Sequence, residues 1–259
     1  LELLDRPRSK KALSTSNVKL GRMRASKVLP IFIPKQQILI QGNLIQSLLG
    51  LGREQEAAKE QQNKIALIKL QKKNALLPKA YVDLAKNQMR QKRWSDAAES
   101  LEACVQLAAG RKDFLQEADC ASRMGSVRRN LSDFKSAKAA YLKSIGIYEG
   151  QNDKNEIYPR YYLAIMNEHM GEYDLAIHQF SKALEVATRY AVAKEIIRLQ
   201  NGLARVHRAR GDYQEALRWV NLSRQGAASL YQEKIGRHEA IEKELEDLNN
   251  RVQPKDKTL

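Results

Sequence analysis

Ala57, Ala97, Ala137, Ala176 and Ala216 recur along the chain at steps of 40, 40, 39 and 40 residues. Few constraints on a fold are as strong, because a fixed period of this size marks stacked copies of one supersecondary unit. Other positions keep the same step. Three residues before each alanine stands Glu54, Trp94, Phe134, Tyr173 or Tyr213, and thirteen before stands Leu44, Leu84, Met124, Leu163 or Leu203. Twelve before lies Ile45, Ala85, Gly125, Ala164 or Ala204. Small residues let two helices approach closely, and the apolar and aromatic positions fill the space between neighbouring units.

Within the unit, "EHMGEYDLAI" and "RARGDYQEAL" each place a glycine after a helical stretch and an acidic residue in the following first turn. A glycine that accepts a left-handed backbone ends one helix, and the acid favours the positive end of the next. Each unit therefore reads as a helical hairpin. Lys, Arg, Glu, Gln and Ala are plentiful, and β-branched runs between turn dipeptides are nearly absent, which points to an all-α chain. Glycine is replaced by Lys92 in "QKRWSDA", and the first unit has Glu54 for the aromatic and Gln61 for a core residue.

These units resemble the tetratricopeptide repeat family over about residues 38 to 226, most clearly in "LAIMNEHMGEYDLAIHQFSKAL" at 163 to 184 and "LARVHRARGDYQEALRWVNLS" at 203 to 223. The resemblance implies a right-handed superhelical solenoid of about five hairpins. The family period is about 34 residues. A step of forty implies helices about a turn longer and a slightly longer connector, as in kinesin light chains, spindle-orientation adaptors and bacterial signalling proteins. The expected organisation is a basic linker or arm at 1 to 35, the array at 36 to 228, and a capping or coiled-coil helix with a tail at 229 to 259. In that last part Ile241, Leu245, Leu248 and Val252 form an apolar stripe. A first residue other than Met and the absence of a signal-like apolar region suggest an internal piece of a larger protein.

The resemblance also implies where a partner would sit, since the first helix of each unit lines a concave groove. Carried onto this chain, the second unit offers Lys79, Lys86 and Arg90, and the third offers Arg123 and Arg129. The fourth offers Tyr158, Tyr161 and Tyr162, and the fifth Arg198, Asn201, Arg205 and Arg208. Eight basic residues face three acidic ones, Asp83, Asp119 and Glu168, across these four units. Tyrosine supplies apolar area with a polar tip, and basic side chains steer association with anionic partners. The branch of the family that clamps chaperone tails is not matched, because Val82 and Ser126 stand where it would want Lys and Asn.

The expected function is thus a non-catalytic interaction module that grips an acidic peptide or partner helix, as the adaptor or sensory part of a larger signalling protein. Net charge of +15 favours anionic partners without choosing among them. Nucleic-acid binding by the arm and groove is the alternative, and self-association through the C-terminal helix is a third reading. No phosphate-binding loop, nucleophile elbow or zinc motif occurs, and "HEAIE" at 238 to 242 lacks a second histidine. No cofactor, metal or catalytic residue is expected. Cys104 and Cys120, with apolar or small neighbours, read as buried free thiols, which suits a reduced, cytoplasmic setting.

Overall fold

The structure, a computed structural model, describes residues 34–252, with the side chains of 34, 35, 234, 237–242 and 244–252 left aside. The basic arm at 1 to 35 and the apolar stripe of the last helix lie outside the described residues or side chains. Ten α-helices follow one another: α1 (Pro34–Gly50), α2 (Glu54–Leu70), α3 (Leu77–Arg90), α4 (Trp94–Gly110) and α5 (Phe114–Asn130), then α6 (Phe134–Gly150), α7 (Ile157–His169), α8 (Tyr173–Arg189), α9 (Ala193–Arg210) and α10 (Tyr213–Val252). Short 3-10 turns at Asn74–Leu76 and Lys154–Glu156 lead into α3 and α7. The described residues form no strand. An all-α array of helical hairpins is what the repeat predicts.

A single backbone device ends every helix from α1 to α9. Gly52, Lys72, Lys92, Lys112, Ser132, Asn152, Gly171, Ala191 and Gly211 all have positive φ, between 49° and 93°. In each case the next residue donates its N–H to the carbonyl five residues back, as Arg93 does to Gln88, Asp133 to Arg128 and Asp212 to His207. This six-to-one bond uses a terminal carbonyl that the helix leaves unpaired. The residue that closes one helix also opens the next: the Asp113 and Asp133 carboxylates accept from the N–H groups of Gln116 and Ser136 at 3.3 and 3.1 Å. Left-handed residues fall about every twenty positions, at the turns between units as well as within them. The longer connector expected from the period occurs before α3 and before α7, each six residues with a 3-10 turn, and the other joins between units take three residues.

Neighbours in sequence pack as neighbours in space, and first helices meet across units, α3 with α5, α5 with α7 and α7 with α9. No corresponding contact joins α4 with α6 or α6 with α8. First helices therefore crowd along one side while second helices splay apart, and the array curves with a concave inner face. The boundary expected near 228 falls inside α10, which runs unbroken for 40 residues.

The anchor alanines sit where helices approach most closely: Ala57, Ala97, Ala137 and Ala176 are fully buried and Ala216 nearly so. Four residues on, Leu101, Tyr141 and Phe180 fill the space and are also fully buried. Glycine is required opposite the two rings. A Cβ at Gly125 would lie 2.6 Å from Tyr141, and one at Gly202 would lie 2.7 Å from Phe180. In the first unit Gln61 takes the same place. It stays buried because it donates to the Asp83 carbonyl at 3.0 Å and accepts from Asn87 at 3.1 Å. The aromatic three before each alanine is less buried than a core position. It is the first residue of the second helix, and Phe134 and Tyr213 are exposed.

Cys104 and Cys120 are joined as a disulfide between α4 and α5, and both are fully buried. The expectation of free thiols is therefore corrected. The pair lies eight residues on either side of Lys112, the left-handed residue of the intervening turn. An antiparallel hairpin brings such symmetric positions opposite each other, with Cα atoms 6.2 Å apart. Joined cysteines also remove the basis on which a reduced compartment was expected.

Gly211→Ala should cost about 1–2 kcal/mol, since a Cβ is disfavoured at its φ of 93°. Gly146→Ala, inside α6 with open space around it, should stabilise by about 0.5–1 kcal/mol. Urea melts of the two variants should shift in opposite directions. Asn87→Ala, which leaves buried Gln61 without its donor, should destabilise by about 1–3 kcal/mol in the same assay.

Candidate interaction groove

The inner face is built from α3, α5, α7 and α9, and it carries two clefts that share Tyr162. The first, of about 630 Å³, lies between α3, α5 and α7. Its walls include Met89, Asp119, Arg123, Ser126, Tyr158 and Tyr162. The second, of about 600 Å³, is lined by Arg129, Phe134, Tyr161, Tyr162, Ile165, Met166, His169 and Arg198. Helical periodicity explains the selection: residues three and four apart share a helix face, so Tyr158, Tyr161, Tyr162, Ile165 and His169 run down one side of α7.

Most of the groove residues chosen from the sequence are accessible, but their charges are not all available. Arg123 pairs with Asp119 at 2.9 Å, and Lys86 lies 3.9 Å from Asp83. Arg205 makes a two-pronged contact with Glu168, both bonds 2.6 Å. All three acidic groove residues are thus used by basic ones. Arg90 lies 3.7 Å from Glu54 and Arg198 lies 3.1 Å from Glu195. Lys79, Arg129 and Arg208 have no ion-pair partner among the described residues. A groove that looks uniformly basic in sequence is therefore largely neutralised from within. Val82 and Gly202, at positions where the resemblance implies groove residues, are buried instead, Val82 in the core and Gly202 against Phe180.

The tyrosines divide by role. Tyr161 packs edge-on to Phe180 at 5.7 Å and to Tyr162 at 5.5 Å. Tyr162 lies 6.3 Å from Tyr141 in a stacked arrangement. Tyr158 stays exposed on the wall of the first cleft. The Arg198 guanidinium sits 3.7 Å over the Tyr161 ring, and Arg129 lies 5.8 Å from the Tyr162 ring centre. Burial opposes the charge on Arg198, yet Tyr161 and Glu195 outweigh it and hold the pKa above the ordinary guanidinium value. Glu168 does the same for Arg205 through its hydrogen bonds. Asn201 and Arg208 are exposed on α9, outside the walls of both clefts.

Sequence periodicity missed Phe134 and Met166, which help wall the second cleft. Phe134 begins α6, a second helix, and reaches the inner side at the hairpin turn. The signal was its place after the turn, where an aromatic in every other unit but the first also stands.

Residues 159–229 match the family model described as tetratricopeptide repeat. The crystal structure of BtubC (BKLC) from P. vanneervenii superposes with a TM-score of 0.68 at 18% identity, covering 76% of this chain and 81% of that one. The Podosopora anserina putative kinesin light chain structure with nearly identical TPR-like repeats gives 0.61 at 16%, covering 77% and 99%. MamA gives 0.53 at 19%, covering 72% and 95%. No curated protein matches by sequence. The chain folds as a tetratricopeptide-type array with lengthened units, a right-handed superhelical solenoid. No helix among the described residues is long and apolar enough to cross a membrane.

Because Tyr161 touches Phe180 and supports Arg198, Tyr161→Ala should destabilise by about 1–3 kcal/mol. Tyr158→Ala, on an exposed wall, should stay within about 0.5 kcal/mol. Thermal melts of the two variants check the division of roles.

Proposed function

We propose that the chain is a non-catalytic adaptor or sensory module that holds an acidic peptide or partner helix along its concave face. The observation that carries this reading is the second cleft. Arg129 and Arg198 flank Tyr161, Tyr162 and Ile165 there, and no carboxylate lines it. The aromatic and aliphatic walls supply buried area, and the two guanidinium groups orient and steer an anionic segment. Arg205, Arg208 and Asn201 on α9, Arg123 and Tyr158 on the first cleft, and Lys86 and Arg90 on α3 continue the face, with Lys79 farther off in a cleft beside α1, and the paired cations set register more than affinity. Placement in a larger, bacterial-type signalling protein rests on the lengthened units.

Nucleic-acid binding is the weaker reading, since Arg123, Arg205 and Lys86 already face carboxylates that would repel a phosphodiester backbone. In a pull-down with the full chain as bait, reversing both cations as Arg129→Glu and Arg198→Glu should abolish partner capture. Asp119→Asn should leave it intact. Capture that survives the double reversal, with an unchanged melt, would place the binding surface elsewhere.

A further inference from the structure

The second cleft differs from the rest of the inner face in how its cations are held. Both guanidinium carbons lie within 6.0 Å of the Tyr162 ring centre, Arg129 at 5.8 Å and Arg198 at 6.0 Å. One comes from α5 and the other from α9, so two helices aim positive charge at a tyrosine of the helix between them. Arg198 also lies 3.7 Å over the Tyr161 ring, a face contact of the kind a planar guanidinium makes. Arg198 gives one nitrogen to Glu195 at 3.1 Å, and Arg129 has no ion-pair partner among the described residues. Neither Asp nor Glu is on the cleft wall.

We infer that this cleft receives a phosphomonoester borne on a side chain of the bound peptide, gripped between Arg129 and Arg198. The inference rests on the groove-binding reading and narrows its ligand. A carboxylate has two oxygens and one negative charge, and a single guanidinium fork satisfies it. A phosphomonoester carries close to two charges and three acceptor oxygens, enough for both forks at once. The apolar walls, Ile165, Met166 and Phe134, suit the carbon stem that presents the group. By contrast the first cleft includes Asp113 and Asp119 and would repel a dianion.

The test uses the full chain, immobilised, against four degenerate peptide libraries with a fixed central phosphotyrosine, phosphoserine, glutamate or tyrosine. A generic RNA oligonucleotide and inorganic phosphate serve as competitors. One phosphorylated library should be retained about tenfold more strongly than the glutamate library, consistent with the extra charge-assisted bonds. Arg129→Gln and Arg198→Gln should each erase that preference, and Lys59→Gln, exposed on α2 and outside both clefts, should keep it. Arg129 supports no ion pair among the described residues, so its variant remains informative if the Arg198 variant loses stability. Equal retention of phosphorylated and glutamate libraries overturns the phosphate assignment and leaves the acidic-peptide reading standing. So does a phosphate preference that both variants retain. Retention of no library overturns both readings, and displacement by RNA at lower concentration than by inorganic phosphate favours a phosphodiester ligand and overturns this one.

Discussion

The whole array depends on one hydrogen bond made nine times. At every helix end from α1 to α9 a residue in the left-handed region turns the chain, and the following N–H reaches back to the carbonyl five residues earlier. That bond satisfies a group that would otherwise be left bare between packed helices. It also reverses the chain in so few residues that successive helices must lie antiparallel and touching. The same left-handed stop at every turn, between units and within them, makes the solenoid regular, and regularity is what aligns α3, α5, α7 and α9 into one inner face.

Packing then exploits that regularity unevenly. The alanines at the helix crossings are interchangeable, but their partners are not: Tyr141 needs Gly125 and Phe180 needs Gly202. The first unit replaces a ring with Gln61 and keeps it buried through Asn87 and the Asp83 carbonyl. Two helical layers joined by glycine–ring contacts in some units and by an amide network in another still have the same spacing. Such substitutions are possible because each unit contacts only its neighbours.

Function concentrates where the copies differ. Across the inner face, internal carboxylates silence Arg123, Lys86 and Arg205, while Arg129 and Arg198 are held on tyrosine rings beside a cleft without acids. A bare count of eight basic residues against three therefore overstates the groove's uniformity, and the useful charge is local. Tyr161, Tyr162, Arg129 and Arg198 of the cleft were legible through the family resemblance, which assigns the first helix of each unit to the groove. The contribution of Phe134 was not, because it arrives from a second helix at the turn.

The sequence by itself determined the repeat, its register and the helical hairpin. A period of forty, the turn glycines Gly171 and Gly211, and the alanine anchors are local signals of the repeated unit. It could not show that Lys92 and Ser132 would turn the chain as those glycines do, because the six-to-one bond and the packing of neighbouring helices override a local backbone preference. Only the tertiary structure decided which arginines remain available, since Glu168 and Arg205 meet across units 37 residues apart. It likewise decided that Cys104 and Cys120 join, because pairing depends on where a turn folds one helix back onto the next.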